Sequence, residues 1–290
     1  MTVQRPVIGV FDSGFGGLTV LREMVRLVPN AKYLYFGDTA RLPYGSKSAE
    51  TVARYAIGAC HFLESQGAEH LVIACNTATA LAMDAIETYA HVPAIGVVGP
   101  GAAAASALSQ SRSVTVIGTE ATVASHAYHR ALEKLGMQSY EKACPLLVPL
   151  VEEGWIDHPV TKQVAEIYLQ DAFVRREQHS DVLLLGCTHY PLIRPLLRKV
   201  VPSNVAIVDS AESTAHALAK KLGVTLPAAS SGASQTGGAR AVTAPEEAEP
   251  ISGTPDFKFF VTDSVQKFRR LGAGFLGHPV DNVEHVDLGG

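Results

Sequence analysis

Residues 71–77 have the sequence Leu-Val-Ile-Ala-Cys-Asn-Thr, and residues 183–189 have the sequence Leu-Leu-Leu-Gly-Cys-Thr-His. Each stretch is a short apolar run that ends in a cysteine followed by polar residues. Apolar runs of this length without alternation are typical of strands buried on both faces, as in the parallel sheets of α/β proteins. The two stretches therefore predict a fold with two related halves, whose buried strands end at Cys75 and Cys187.

Short apolar runs and helical segments alternate on both sides of these stretches. We expect buried strands over 6–11, 33–36, 71–74, 94–98, 114–117, 182–185, 205–208 and 257–261. Helical spacing predicts helices over 17–28, 48–66, 77–89, 120–135, 161–175 and 264–275. Strands that alternate with helices connect by right-handed crossovers into parallel sheets covered on both faces. The pattern predicts the α/β class, with mostly parallel central sheets and a ligand site beyond the carboxyl ends of the strands.

A chain of 290 residues has room for about two domains, since a domain averages roughly 150 residues. The strands that precede the two opening stretches also end in polar residues, at Asp12 and Thr119. One interpretation is two α/β domains of related plan that face each other across a cleft. The alternative is that any two strands of parallel sheets look alike. Residues 228–255, rich in Ala, Ser, Gly, Thr and Pro, predict a flexible surface excursion.

The composition excludes several classes of protein. Lys and Arg number 24 against 28 Asp and Glu, so no basic surface for nucleic acid or an anionic membrane is expected. The longest uncharged stretch, 92–111, is interrupted by Pro and Gly, which argues against a membrane-spanning helix. The four cysteines form no C-x-x-C pair and are too few for a disulfide framework. We expect a cytoplasmic protein with reduced thiols.

The segment Asp12-Ser-Gly-Phe-Gly-Gly17 follows the first predicted strand and begins a helix. Glycines allow close approach of the backbone, and the free N–H groups of a helix start favour an anion. The segment is not a dinucleotide fingerprint, because Thr19 stands where the third glycine would be, and it lacks the Gly-Lys-Ser/Thr ending of a phosphate-binding loop. The alternative is a plain turn in which Asp12 or Ser13 caps the helix.

Cys75 and Cys187 differ from the other two cysteines, Cys60 and Cys144, which we expect to be small buried hydrophobes. At a strand end beside a helix N-terminus, a thiol is expected to have its pKa lowered from about 8.5. Two equivalent thiols across a cleft suit the inversion of a stereocentre. One thiolate removes the Cα proton and the opposite thiol returns a proton to the other face.

Three further segments are candidates for the same site. His189 is either an acid/base partner of Cys187 or a capping residue without a role. Residues 43–45, Pro-Tyr-Gly, follow a predicted strand and are expected at the same rim. Glu152 and Glu153 follow an apolar run, and either could be only the solvated start of a helix.

These motifs together resemble the bacterial glutamate racemases, which belong to the cofactor-independent aspartate/glutamate racemase superfamily. The matching stretches, in family order, are Val10-Phe-Asp-Ser-Gly-Phe-Gly-Gly-Leu-Thr19, Tyr35-Phe-Gly-Asp-Thr39, Pro43-Tyr-Gly45, Ile73-Ala-Cys-Asn-Thr77, Val148-Pro-Leu-Val-Glu152 and Leu185-Gly-Cys-Thr-His-Tyr-Pro191. They span nearly all of the chain outside 228–255, and their joint occurrence is highly specific.

The resemblance implies two α/β domains related by a pseudo-twofold axis, with the active site in the cleft between them. The first domain would comprise 1–98 and 210–290, and the second 99–209. The resemblance also implies interconversion of L- and D-glutamate for peptidoglycan synthesis, without pyridoxal phosphate, another cofactor or a metal. A homodimer is expected.

The resemblance also implies roles for individual residues. Cys75 takes the proton from D-glutamate and Cys187 takes it from L-glutamate. Asp12 assists the first cysteine, and Glu152 with His189 assists the second. The implied substrate contacts are Asp12, Ser13, Pro43, Tyr44, Gly45, Asn76, Thr77, Thr119, Thr122, Thr188 and His189.

Three other functions are alternatives. The protein could racemise another acidic amino acid such as aspartate. It could be a cysteine-dependent amidohydrolase that uses Cys75 or Cys187 with His189, in which case it would release ammonia from amides. It could also be a binding protein for acidic amino acids, for which both thiols would be dispensable.

Overall fold

The structure is a computed structural model that describes residues 5–173, 180–224 and 255–289. Residues 228–254 of the predicted excursion lie outside these described residues. The strands are β1 (Val7–Asp12), β2 (Lys32–Gly37), β3 (His70–Ile73), β4 (Ala94–Gly96), β5 (Ser113–Gly118), β6 (Gln138–Ala143), β7 (Val182–Gly186), β8 (Ala206–Asp209), β9 (Asp256–Val261) and β10 (Val283–His285).

The helices connect these strands. They are α1 (Leu18–Leu27), α2 (Ala49–Ser65), α3 (Asn76–Tyr89), α4 (Val98–Leu108), α5 (Glu120–Ala124), α6 (Ala127–Glu133), α7 (Leu147–Glu152), α8 (Pro159–Phe173), α9 (Arg194–Val200), α10 (Ser210–Lys221) and α11 (Val265–Leu276). Short 3-10 turns follow β2, at Thr39–Arg41 and Tyr44–Ser46, and another follows β7, at Tyr190–Ile193.

The strands form two parallel sheets. The first has the order β10-β9-β2-β1-β3-β4, and the second has the order β6-β5-β7-β8. Every pairing within the two sheets is parallel. The predicted α/β class with parallel central sheets is therefore confirmed.

The strand order reverses at corresponding places in the two sheets. β1 lies between β2 and β3, and β5 lies between β6 and β7. The helices that follow two such neighbouring strands leave on opposite faces, which opens a crevice at their carboxyl ends. In the first sheet this crevice lies beyond Asp12 and Cys75, and in the second it lies beyond Thr119 and Cys187.

Helices α4 and α10 lie where the chain passes from the first sheet to the second and back again, and they connect the two sheets. α4 leads into the second sheet, α10 leads out of it, and α10 packs against both α4 and α1. Side chains of both halves, including Leu18 and Leu185, belong to one continuous apolar cluster. Burial of such a cluster removes apolar area from water and stabilises one arrangement of the two halves.

Several elements differ from the sequence expectations. The helix expected over 120–135 is two helices, because His126 adopts a left-handed backbone with φ 53° between them. The strands β6 and β10 were not expected, since both lie at sheet edges and carry polar residues such as Glu141 and Glu284. Helices α4, α7, α9 and α10 were also not among those expected.

Among the residues that the structure describes, none of the helices is both long enough and apolar enough to span a bilayer.

Candidate active site

A cavity of about 380 Å³ lies between the carboxyl ends of the two sheets. Cys75 and Cys187 both line it, and they are only 5% and 6% exposed. Its other lining residues are Ser13, Leu42, Pro43, Tyr44, Gly45, Ser46, Asn76, Thr77, Thr119, Glu120, Pro145, Val148, Pro149, Glu152, Thr188 and His189. The two halves therefore present one thiol each to the same cavity.

Cys75 occupies the N-cap position of α3. Its sulfur accepts a hydrogen bond from the backbone N–H of Ala78 at 3.4 Å and lies 3.5 Å from Ser13 Oγ. Ser13 follows β1, which is the sheet neighbour of β3. The parallel pairing of these two strands therefore brings the glycine-rich loop after β1 against the first cysteine.

The acidity of Cys75 differs from the sequence expectation. Burial, followed by the nearby Asp12 carboxylate, raises the pKa of Cys75 to about 12. Hydrogen bonds from Ser13 and from the N–H of Ala78 act in the opposite direction but do not outweigh these effects. The expected lowering of the Cys75 pKa by the helix terminus is therefore wrong, because desolvation destabilises the thiolate by more than the hydrogen-bond donors at the helix N-terminus stabilise it.

Cys187 is the first member of a chain of three side chains. Its sulfur lies 3.9 Å from His189 Nδ1, and His189 Nε2 lies 3.2 Å from Glu152 Oε1. Burial opposes protonation of His189, but its contacts with Cys187 and Glu152 outweigh burial and raise its pKa to about 10. The pKa of Glu152 is lowered, because contacts with His189 and Lys267 outweigh its burial. At neutral pH the pair is therefore imidazolium and carboxylate.

Asp12 lies behind the cavity wall with no exposed surface. Its Oδ2 accepts the N–H of Gly14 at 2.9 Å, whereas Oδ1 has no hydrogen-bond partner. Burial raises the pKa of Asp12, although the positive charge of His189 and the loop N–H groups oppose this. A carboxyl group with one free oxygen and a raised pKa can hold or release a proton beside Cys75.

Gly16 allows the loop after β1 to approach the second half. A Cβ at this position would overlap Thr188 Oγ1 and lie 2.7 Å from His189 Nδ1. Thr19 strengthens the same contact, since its hydroxyl donates to the carbonyl oxygen of Thr188 at 3.2 Å. Gly16 therefore serves close packing between the halves.

Threonine hydroxyls join the two halves on another side of the cavity. Thr77 Oγ1 lies 3.0 Å from Thr119 Oγ1 and 3.2 Å from Thr122 Oγ1. Thr119 also caps α5 through the N–H of Thr122. A Cβ on Gly45 would lie 2.7 Å from Thr119 Cβ, so this glycine also allows close approach of the halves.

Asn76 presents an unpaired donor at the cavity. Its Oδ1 accepts a short hydrogen bond of 2.6 Å from the hydroxyl of Tyr128, a residue of α6 in the second half. Its Nδ2 is buried without a partner. An unsatisfied buried donor costs about 1–3 kcal/mol, so this amide is prepared for an acceptor such as a substrate oxygen.

The structure brings most of the sequence-predicted site residues together at this cavity. Within the described part of the chain, Asp12 and Thr122 are exceptions, because both are fully buried behind the lining. Glu152 faces His189 from the end of α7, whereas Glu153 is exposed after that helix. The solvated helix start considered for Glu152 is therefore wrong. Cys60 and Cys144 are buried, as expected of small hydrophobes.

Residues of α11 and α6 that support the site were not expected from the sequence. Lys267 Nζ lies 3.7 Å from Glu152 Oε2, and the Phe275 ring stands edge-on to His189 with centroids 5.3 Å apart. Tyr128 orients Asn76, as described above. No sequence motif contains these residues, and only the docking of their helices against the cavity gives them a role.

Comparison with known proteins agrees with this geometry. The family model described as Asp/Glu/Hydantoin racemase matches residues 8–218, a range that includes both cavity cysteines and Glu152. The chain belongs to the Asp/Glu/Hydantoin racemase family. Within that family it is 83% identical to a glutamate racemase of Koribacter versatilis, and the match covers 100% of both chains. The resemblance inferred from the sequence motifs is therefore confirmed.

Solved racemase structures share the fold. The crystal structure of glutamate racemase from Francisella tularensis in complex with D-glutamate has a TM-score of 0.80 at 32% identity and covers 98% of each chain. The crystal structure of glutamate racemase from Thermus thermophilus in complex with β-chloro-D-alanine has a TM-score of 0.79 at 42% identity, again over 98% of each chain. The two-sheet architecture is therefore that of racemases.

Proposed function

We propose that this protein is a glutamate racemase that interconverts L- and D-glutamate by proton transfer at Cα between two cysteines. The observation that carries the proposal is the presence of two buried thiols, one from each half of the fold, in the lining of one cavity. Relatives of high identity over the whole chain are glutamate racemases, and one similar structure holds D-glutamate.

In the L-to-D direction, Cys187 acts as the base. Its thiolate removes the Cα proton of L-glutamate, and the bonding electrons remain on the substrate as a carbanion. The imidazolium of His189, 3.9 Å from the sulfur, is an electrostatic partner for that thiolate. Glu152 keeps His189 protonated and oriented through the contact at Nε2. The result of this step is a neutral Cys187 thiol.

Cys75 completes the inversion from the opposite face of the substrate. Because burial raises its pKa to about 12, Cys75 is a neutral thiol that can donate its proton to the carbanion. This step forms D-glutamate and leaves a thiolate at Cys75. Asp12 is the nearby carboxyl group that exchanges a proton with Cys75: its acid form gives a proton to this thiolate, and its carboxylate takes the proton from the thiol before the reverse reaction. In the reverse direction the two cysteines exchange their roles.

Binding of the two substrate carboxylates relies on hydrogen-bond donors of the lining and on the imidazolium of His189. Within the lining of the cavity, the described residues include no lysine or arginine. The donors available include the hydroxyls of Ser13, Thr77 and Thr188 and the free amide of Asn76. Preorganised donors in an enclosed site stabilise the charge that develops on the carboxylate side of Cα during deprotonation.

The cellular role follows from the product. We propose that the D-glutamate supplies peptidoglycan synthesis, that the enzyme acts in the cytoplasm without a cofactor, and that it forms a homodimer. Size-exclusion chromatography with light scattering of the purified protein measures the assembly directly.

Isotope labelling tests the two-base mechanism. L-glutamate is converted in heavy water by the purified enzyme, and the reaction is stopped after a small fraction of turnover. We expect deuterium at Cα of the D-product, while the recovered L-glutamate remains largely unlabelled; starting from D-glutamate gives the mirror pattern. Comparable label in substrate and product, or transfer of the original proton to the product, would indicate a single base and contradict the proposal.

Two controls separate the alternatives. L-aspartate in place of L-glutamate tests the substrate class, and faster racemisation of aspartate would overturn the assignment to glutamate. Ammonia release from L-glutamine tests amidohydrolase activity, which we expect to be absent. Loss of optical activity of L-glutamate in cofactor-free buffer is the positive result.

A further inference from the structure

Three side chains that can ligate a metal lie together on the first half of the molecule. His61 and Glu64 lie one turn apart on α2, and His91 lies between α3 and β4. A ligand atom from each of the three lies within 4.8 Å of the other two. None of them lines the cavity of Cys75 and Cys187, so the proposed racemisation does not account for this cluster.

Glu64 fixes the position of His91 through its hydrogen bonds. Its Oε1 accepts the backbone N–H groups of His91 at 2.6 Å and Val92 at 3.2 Å, and its Oε2 lies 2.9 Å from His91 Nδ1. The rings of His61 and His91 have centroids 5.5 Å apart. His61 Nε2 lies 3.0 Å from the carbonyl oxygen of Tyr89 on the same segment. The three ligands are therefore arranged by contacts that exist without an ion.

The donor set indicates the class of ion. Two imidazole nitrogens and one carboxylate oxygen suit Zn²⁺ and its neighbours, whereas Mg²⁺ and Ca²⁺ prefer oxygen ligands alone.

We propose that His61, Glu64 and His91 bind one divalent transition-metal ion of the zinc class, with water completing its coordination. The ion joins the C-terminal end of α2 to the segment between α3 and β4. These elements flank β3, the strand that leads to Cys75. The site stabilises the first half of the fold and takes no part in proton transfer.

Calorimetric titration of Zn²⁺ into the full-length protein tests this site. Because thiolates also bind Zn²⁺, the titration uses a background carrying Cys75→Ala and Cys187→Ala. We expect one ion per chain, and about tenfold or greater weakening on His61→Ala or His91→Ala. The matched control is His216→Ala, since His216 lies beside Glu212 at 3.9 Å on α10 and belongs to no three-ligand cluster among the described residues.

Two further measurements make the outcome decisive. Co²⁺ bound to the same background should give visible absorption bands, and these should disappear in the His61→Ala, His91→Ala double variant. Thermal unfolding should shift to higher temperature with Zn²⁺ in the background protein but not in the double variant. Zn²⁺ binding of equal affinity in the double variant, or no binding to the background protein, would overturn the proposal.

Discussion

Glu152 Oε1 lies 3.2 Å from His189 Nε2, although the two residues are 37 positions apart and belong to different elements of the second half. Glu152 ends α7, and His189 follows β7 beside Cys187. Their contact gives the two cysteines unlike surroundings. Cys187 faces an imidazolium backed by a carboxylate, whereas Cys75 faces the buried carboxyl group of Asp12.

Replacing Glu152 with glutamine should lower the pKa of His189 from about 10 toward its ordinary value, because the charged partner at Nε2 is lost. The pKa is measured by NMR titration of the imidazole ring. Turnover of L-glutamate should fall more than turnover of D-glutamate, since in the proposed mechanism His189 assists Cys187, the cysteine that deprotonates L-glutamate. The matched control is Glu153→Gln at the exposed neighbouring position, and equal effects of both variants would contradict the assignment.

The same pair predicts how stability depends on pH. The folded pKa of His189 is raised, so its stabilising contribution is fully present below the unfolded value of 6.5 and is lost as pH rises through about 10. The pKa of Glu152 is lowered from 4.5, so its contribution is present above that value and is lost as pH falls. Urea unfolding from pH 4 to 10.5 should show a stability difference between the protein and Glu152→Gln that is largest between about pH 4.5 and 6.5 and declines on both sides of this range.

Both cavity cysteines should be required for turnover. Serine is a far weaker acid than cysteine, so Cys75→Ser or Cys187→Ser should reduce racemisation by about 10²–10⁴-fold or more. Cys60→Ala and Cys144→Ala, at buried positions outside the cavity, should keep turnover within a few-fold. Polarimetry with L-glutamate measures the rates, and circular dichroism checks folding. Near-normal turnover by either folded serine variant would exclude the two-thiol mechanism.

Lys267 should act on the reaction through Glu152. Its side chain is about half exposed and contacts Glu152 at 3.7 Å, a distance at which an exposed ion pair contributes about 0.2–1 kcal/mol. Lys267→Gln should therefore reduce turnover of L-glutamate by no more than about fivefold and raise the pKa of Glu152, because a neighbouring positive charge is lost. Arg270→Gln, an exposed position on the same helix, is the control and should change neither quantity.

The substitutions Gly16→Ala and Gly58→Ala form a matched pair that should have opposite effects on stability. A Cβ at Gly16 meets Thr188 and His189, so Gly16→Ala should destabilise the protein by about 1–3 kcal/mol and abolish most turnover. Gly58 lies within α2 with no atom within 4 Å of an added Cβ, so Gly58→Ala should stabilise by about 0.5–1 kcal/mol. Urea unfolding measures both values. A neutral effect of Gly16→Ala would mean that the halves do not pack this closely in solution.

Tyr128 should govern substrate affinity without touching the thiols. Its hydroxyl holds Asn76 Oδ1 at 2.6 Å and leaves Nδ2 free for an acceptor. Tyr128→Phe should raise KM for glutamate about two- to tenfold, since a neutral hydrogen bond contributes about 0.5–1.5 kcal/mol, with a smaller change in kcat. The control is Tyr140→Phe, a partly buried tyrosine of β6 outside the cavity lining. A change in kcat alone would exclude the orienting role.

The sequence by itself determined the α/β class, the strands that lead to the site and the two cysteines that end them. Continuous apolar runs such as 71–74 and 182–185 require burial on both faces, and this requirement is local in sequence. The edge strands β6 and β10 were not predicted from the sequence, because an edge strand can carry polar residues. The domain bounds and the individual substrate contacts stay predictions.

Only the tertiary structure decided how the cysteines are surrounded. The approach of Glu152 to His189, of Lys267 to Glu152 and of Tyr128 to Asn76 depends on helices docking across the two halves. The same packing raises the pKa of Cys75, opposite to the effect expected from its helix N-terminus. Burial and electrostatic contact depend on distances between segments remote in sequence, and apolar periodicity carries no information about those distances.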